Sequence, residues 1–338
     1  MVSSSRKTMW IARILGIALA VSVAIVATII GKSIPVIGAP VICIVIGVAI
    51  AAIRKPSERF RPGIVTSSKL ILQISVVVLG SQLSLKEIVK VGFTSLPVML
   101  GSLIVCLVGA YWIGKWLGIV GDLRTLIGVG TSICGASAIA AVTPIISAAS
   151  VDVAYAISTI FLFNMTAVLT FPFLGHLLGL SQHSFGLFAG TAINDMSSVV
   201  AASTTYGSVA ANYAIVVKLT RTMLIIPISL GLATLERRKL KTDYAKPNVH
   251  IARLVPWYLI GFLVVASMNS LGLIPQGIHH DLVQISIFLI AVALAAIGLS
   301  TDIAGLRRTG PRPLLLGGIL WILVSTTSLL LQYVTHSL

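Results

Sequence analysis

The chain has 338 residues, 57% of them hydrophobic and only 10% charged, with a mean hydropathy of +1.05. Soluble domains carry roughly 25% charged residues, so this composition excludes a water-covered globule and predicts an all-α, polytopic integral membrane protein. A net charge of +15 and a pI near 10.2 do not indicate a nucleic-acid binder, because the cations cluster between apolar segments and no basic domain is present.

A helix needs about 20 apolar residues to span a bilayer. By that measure there are eleven candidate spans: 10–30, 39–53, 65–83, 93–117, 125–148, 152–175, 184–204, 209–232, 252–272, 282–300 and 313–334. The first follows Arg6 and Lys7; it exceeds the ~7–15 apolar residues of a signal peptide and reads as a retained helix. Helix is obligatory in such segments, since unpaired backbone groups in lipid cost several kcal/mol each. The ~10-residue strands of alternating polarity that an outer-membrane barrel needs are not found, since nothing here alternates. Cys43, Cys106 and Cys134 all lie in apolar segments and read as free thiols.

Lysine and arginine placement predicts an N-in, C-out topology. The inner connections then hold Arg54, Lys55, Arg59, Arg61, Lys115, Arg124, Arg307, Arg308 and Arg312, together with the basic linker at 236–250. The outer ones hold only Lys32, Lys86 and Lys90. No soluble domain interrupts the series, so residues 1–338 read as one polytopic domain, with 236–250 as a cytoplasmic link between helical segments.

Two segments lose their apolar pattern at the centre. The fifth reads Gly128-Val-Gly-Thr-Ser-Ile-Cys-Gly-Ala-Ser-Ala138, and the seventh reads Gly190-Thr-Ala-Ile-Asn-Asp-Met-Ser-Ser198. Set sixty positions apart they align without a gap, Gly130 on Gly190, Thr131 on Thr191, Ile133 on Ile193 and Ser137 on Ser197. Glycines, hydroxyls and amides at membrane depth suit discontinuous helices, whose half-helix N-termini face anionic solutes near the midplane of transporters. Close packing through small residues is the competing reading. A weaker echo links Leu72-Gln-Ile-Ser75 to Val283-Gln-Ile-Ser286 and suggests an inverted repeat. Two simple spans at these positions would run the same way, so either the repeat is nested or a re-entrant hairpin is involved.

The eighth segment carries Lys218 and Arg221, one helical step apart and too deep to snorkel. Ionisable groups at this depth cost roughly 2.5–3.5 kcal/mol each and usually face a protein interior or a solute path. Asp195 is the only acid falling mid-segment. Two cations against one acid leave a positive surplus, which predicts a pocket for a small anion with Lys218 and Arg221 as its counter-charges; an internal salt bridge to Asp195 is the alternative. The candidate binding set is Gly130, Thr131, Ser132, Cys134, Gly135, Ser137, Gly190, Thr191, Asn194, Asp195, Ser197, Ser198, Lys218 and Arg221. Asp195 is also the candidate coupling site for a proton or sodium ion. Cys134 has no local base and reads as a buried small residue, and His279-His280-Asp281 makes no metal set. No enzyme, cofactor or metal is expected. The expected partners are a small anionic solute and membrane lipid, with a homodimer left open.

These stretches resemble the YeiH-type membrane proteins, labelled sulfate exporters, over essentially the whole chain. The resemblance rests on Gly130 to Ala141, Gly190 to Asp195, Val199 to Ala202, Lys218-Leu-Thr-Arg221 with Pro227, and Leu299-Ser-Thr-Asp302 leading to Arg312-Pro313-Leu314-Leu315. It implies kinship with bile-acid/sodium symporters and cation/proton antiporters, with a core domain of crossed broken helices, a panel domain and elevator motion. Where the family pattern has His before the acid and Gln near position 198, this chain has Asn194 and Ser198. That departure questions proton coupling at position 194. The expectation is a secondary transporter of sulfate, a sulfonate or a carboxylate in the plasma membrane. The alternative is a proton- or sodium-coupled carrier of a non-anionic solute working through Asp195.

Overall fold

The computed structural model describes residues 2–33, 38–53, 56–119, 121–240, 255–301 and 310–336, and every regular element among them is helical. In chain order these are α1 (Val2–Ser33), α2 (Gly38–Ile53), α3 (Arg61–Thr66), α4 (Leu72–Leu79), α5 (Leu85–Trp116), α6 (Asp122–Ser132), α7 (Ala136–Ile146) and α8 (Ser150–Leu177). There follow α9 (Gln182–Ala192), α10 (Met196–Tyr206), α11 (Ser208–Met223), α12 (Ile225–Leu240), α13 (Trp257–Ser270), α14 (Gln276–Leu299) and α15 (Pro311–Val334). A π-helical turn, Ser67–Ile71, joins α3 to α4, and a 3₁₀ turn, Gly80–Gln82, ends that stretch.

Among the described residues seven helices are long and apolar enough to cross a membrane: Trp10–Gly31, Arg61–Gln82, Leu85–Trp116, Ser150–Leu177, Ser208–Leu235, Gly277–Leu299 and Pro311–Val334. The candidate spans 39–53 and 252–272 correspond to shorter apolar helices, Ala39–Ile53 and Trp257–Ser270. Candidates 125–148 and 184–204 are each broken into two short helices, for reasons given below. Most of the 236–250 linker lies outside the described residues; its first part, to Leu240, continues α12.

The chain divides into two compact units where the sequence suggests a single domain. One comprises Met1–Ile88, Val200–Thr205 and Trp257–Ile303. Its helices cross at paired glycines: a Cβ on Gly63 would stand 2.2 Å from the Arg13 carbonyl oxygen, and one on Gly298 would stand 2.5 Å from that of Ile44. Such backbone approach is the membrane way of packing, where van der Waals contact replaces the hydrophobic effect. The echoed strings meet here too, with Ser286 Oγ donating to the Ser75 carbonyl at 3.2 Å.

The second unit comprises Val89–Val199, Tyr206–Pro256 and Ala304–Leu338. Its axis is α11 followed by α12, interrupted only at Leu224. Pro227 has no N–H to offer the Met223 carbonyl, which accounts for a break at this point.

Candidate functional site

The seventh candidate segment is a hairpin. α9 starts at Ser181, whose Oγ caps it by accepting from Ser184 N at 3.1 Å. It then runs parallel to α11. A Cβ on Gly186 would lie 2.9 Å from the Ala210 carbonyl oxygen, and one on Gly190 would lie 3.0 Å from that of Ala214. The chain turns at Ile193–Asp195, and α10 returns to where α9 began. There Tyr206 Oη donates to the Leu180 carbonyl at 2.5 Å, and the Tyr206 ring stacks on Phe185 with centroids 3.8 Å apart. Gln182 Oε1 accepts from Val209 N at 3.1 Å and closes the base.

The fifth candidate segment is a second hairpin, entering from the other end of the same axis. Ser132, at the tip of α6, meets Arg221, while Arg124 and Thr125, near its base, share a groove with Leu232 and Leu235 of α12. α6 is therefore antiparallel to the axis. A Cβ on Gly130 would lie 3.1 Å from Ile139 Cγ1, whereas nine residues of straight helix would separate them by about 13 Å. α7 thus folds back, and it packs on α12, beside the same half of the axis as α6. Neither segment is the simple crossing expected from its length. Gly135 makes the first turn possible, since its φ of +68° is one that side chains with a Cβ rarely adopt.

The two tips meet at Lys218 and Arg221, which are 1% and 0% exposed. Lys218 Nζ donates to the Ile133 carbonyl at 2.9 Å and to the Ile193 carbonyl at 2.7 Å. Those carbonyls belong to residues paired in the sixty-residue alignment. Arg221 Nε donates to the Ser132 carbonyl at 2.7 Å, and its Nη1 donates to that of Thr191. The last carbonyls of a helix have no internal partner and carry the negative end of its dipole, so a buried cation satisfies both needs. An orphaned buried acceptor costs about 1–3 kcal/mol, and these two side chains satisfy four. Only Arg221 Nη2 has no hydrogen-bond partner.

This corrects the alternative of an internal salt bridge. The cations are not paired with Asp195, because Asp195 Oδ2 instead accepts from Ser197 Oγ and from Ser198 N at 3.4 Å, capping α10. Backbone carbonyls take four of the N–H groups of the two cations, and Arg221 Nη2 is left without a partner. The other candidates do converge. Gly130, Thr131 and Ser132 form the last turn of α6, and Cys134 and Gly135 the bend, all buried. Ser137 is exposed in the first turn of α7, where its Oγ donates to the Cys134 carbonyl at 3.3 Å. Gly190 and Thr191 close α9, and Ser197 and Ser198 open α10. Asp195 is half-buried at the meeting of the tips; a Cβ on Gly135 would lie 3.3 Å from its own Cβ. Asp195 Oδ1 and Asn194 Oδ1 accept no hydrogen bond.

Three contributors were not expected from sequence. Asn164, midway along α8, accepts from Asn194 N at 3.0 Å through Oδ1 and holds the second tip. Ser328 shares a 2.6 Å hydrogen bond with Thr191 Oγ1, and Gln332 Nε2 donates to Ser328 Oγ at 3.3 Å. Each is one of several scattered polar residues in a mainly apolar helix, and only the tertiary fold brings it to the hairpin. His176 and His183 stand at the base of the second hairpin, against Tyr206 and Tyr213.

A family model described as Conserved hypothetical protein 698 matches residues 15–317. A UPF0324 membrane protein of Streptococcus pyogenes serotype M18 is 41% identical over 325 residues, covering 94% of this chain and 96% of the relative. Similar coverage holds for the UPF0324 membrane proteins of Streptococcus mutans, 40% identical, and Clostridium tetani, 37% identical.

Proposed function

Since the chain belongs to the Conserved hypothetical protein 698 family of UPF0324 membrane proteins, in keeping with its YeiH-type resemblance, we propose that it is a secondary active transporter of a small anion. The observation that carries this reading is the junction of two opposed hairpins around a buried cation pair. Such a junction places helix ends, and hence fixed partial charges, at mid-bundle. α7 opens there without a side-chain cap and with Ala136 and Ser137 exposed, so its N-terminus is available to an anion. Ser137, Asn194, Ser197 and Ser198 select the solute, a sulfate, sulfonate or carboxylate. Lys218 and Arg221 act from behind, as the source of positive field and the clamp that fixes the tips, with Arg221 Nη2 a donor left for the solute.

In this reading the two hairpins reduce the eleven candidate spans to nine crossings, and the N-in, C-out orientation is kept. The two connections that change sides, Ser147–Ala149 and Leu178–Ser181, contain no lysine or arginine. The hairpin-bearing unit takes the part of the core domain in an elevator, and the other unit that of the panel. The plasma membrane is its site.

The test is flux of radiolabelled sulfate, a sulfonate and a carboxylate in proteoliposomes. Saturable uptake of at least one, lost in Arg221→Gln and lowered in Ser137→Ala, is the expected result; no flux of any anion by the wild type would overturn the reading. The unpartnered Asp195 Oδ1 favours a second reading, a proton- or sodium-coupled carrier of a non-anionic solute. Asp195→Asn would then abolish gradient dependence, with anion flux absent throughout.

A further inference from the structure

A groove of about 280 Å³ opens on the outer side of the first hairpin, between α5, α6 and α12. It lies away from the junction of the tips and serves no part of the proposed transport site. Leu107, Gly128, Leu232 and Leu235 line it with apolar surface, and Tyr111 and Arg124 stand at one end. The Arg124 guanidinium sits 4.7 Å from the Tyr111 ring centroid, a cation–π contact that fixes the charge at the mouth of the groove. Among the described residues no carboxylate pairs with it. A Cβ added to Gly231, part of the far wall, would meet nothing within 4 Å.

The surroundings identify the occupant. Lys115 is exposed one helical turn from Tyr111, and a Cβ on Gly118 would lie 3.8 Å from Arg312 Nη1, so three cations gather at this end of the unit. Trp112 and Trp116 beside them are 63% and 81% exposed, the placing of aromatic residues at a headgroup layer. A groove with apolar walls and an unpaired guanidinium at a basic, tryptophan-bearing rim matches one amphiphile. We propose that it holds an acyl chain of an anionic phospholipid, with the phosphate at Arg124 and the chain between α6 and α12. The lipid would then brace the base of the first hairpin from the side opposite its tip.

Native mass spectrometry of the detergent-purified protein tests this, with phosphatidylglycerol and phosphatidylcholine of identical chains offered at equal concentration. The wild type should retain phosphatidylglycerol preferentially, and excess inorganic phosphate should not displace it, since the chain contributes most of the contact. Arg124→Gln should lower phosphatidylglycerol retention about fivefold and remove the preference. Gly231→Phe should fill the groove and reduce retention of both lipids, with Leu235→Trp as the second filler should the first fail to fold. Equal retention of the two lipids by the wild type would overturn the proposal. So would displacement by phosphate, or retention unchanged in a folded groove-filling variant.

Discussion

The two hairpins share a skeleton and differ in their tips. In each, an eleven-residue helix runs to the middle of the bundle and ends on a carbonyl that Lys218 binds, Ile133 in one and Ile193 in the other. The first tip is set by shape: Gly135 takes a positive φ, and the returning helix begins with small exposed residues. The second is set by polar bonds. Ile193 is extended, Asn194 N is held by Asn164, and Asp195 caps the returning helix. The repeated part is therefore the part the cations hold, and most of the side-chain hydrogen bonding has accumulated on one copy.

If the clamp is shared in this way, Lys218→Met breaks both hairpins at once. It leaves two buried carbonyls without donors, at about 1–3 kcal/mol each. We expect a loss of about 3 kcal/mol or more in detergent unfolding. Hydrogen exchange should rise at both Ile133–Ser137 and Ile193–Ser197. Exchange confined to one tip would mean that the hairpins are held independently.

Much of this was legible in the sequence. The sixty-residue alignment found both breaks because glycine and hydroxyl residues stand out within apolar runs. Lys218 and Arg221 stood out because charge at that depth is expensive. What escaped was direction. Length and hydropathy do not distinguish a crossing from two short helices that return, and charge sorting fails too, because Ser147–Ala149 and Leu178–Ser181 hold no cation. The partners of the two cations escaped for another reason. Any residue supplies a carbonyl, so a sequence shows the donors and conceals the acceptors. Asn164 and Ser328 illustrate a third limit, since a polar residue among several in a mainly apolar helix carries no sign of what it will face.

The aligned glycines sharpen the comparison with a smaller effect. At Gly190 an added Cβ would meet Val217 Cγ1 at 2.7 Å and the Ala214 backbone oxygen at 3.0 Å, neither of which can swing aside. At Gly130 it would meet only side-chain atoms, Ile160 Cδ1 and the Cδ1 and Cγ1 of Ile139, with no backbone among them. Overpacking of a rigid contact costs about 1–3 kcal/mol. Gly190→Ala should therefore lower the unfolding midpoint clearly, and Gly130→Ala should lower it less. The reverse order would place the tighter wall on the first hairpin.

The smallest expected effect isolates the second tip. Asn164→Ala removes the acceptor of Asn194 N and leaves a buried donor unpaired, at about 1–2 kcal/mol. Nothing on the first hairpin depends on that bond, because its bend is fixed by Gly135 and by Gly135 N donating to the Gly130 carbonyl at 2.9 Å. Hydrogen exchange in this variant should rise at Ile193–Ser197 and stay unchanged at Ile133–Ser137, the opposite of the joint response to Lys218→Met. Solute flux should fall with it, because Asn194 and Asp195 lose their placement while the clamp stays whole. If instead both tips loosen together, Asn164 is part of the shared clamp, and the division between a shape-set and a bond-set hairpin is wrong.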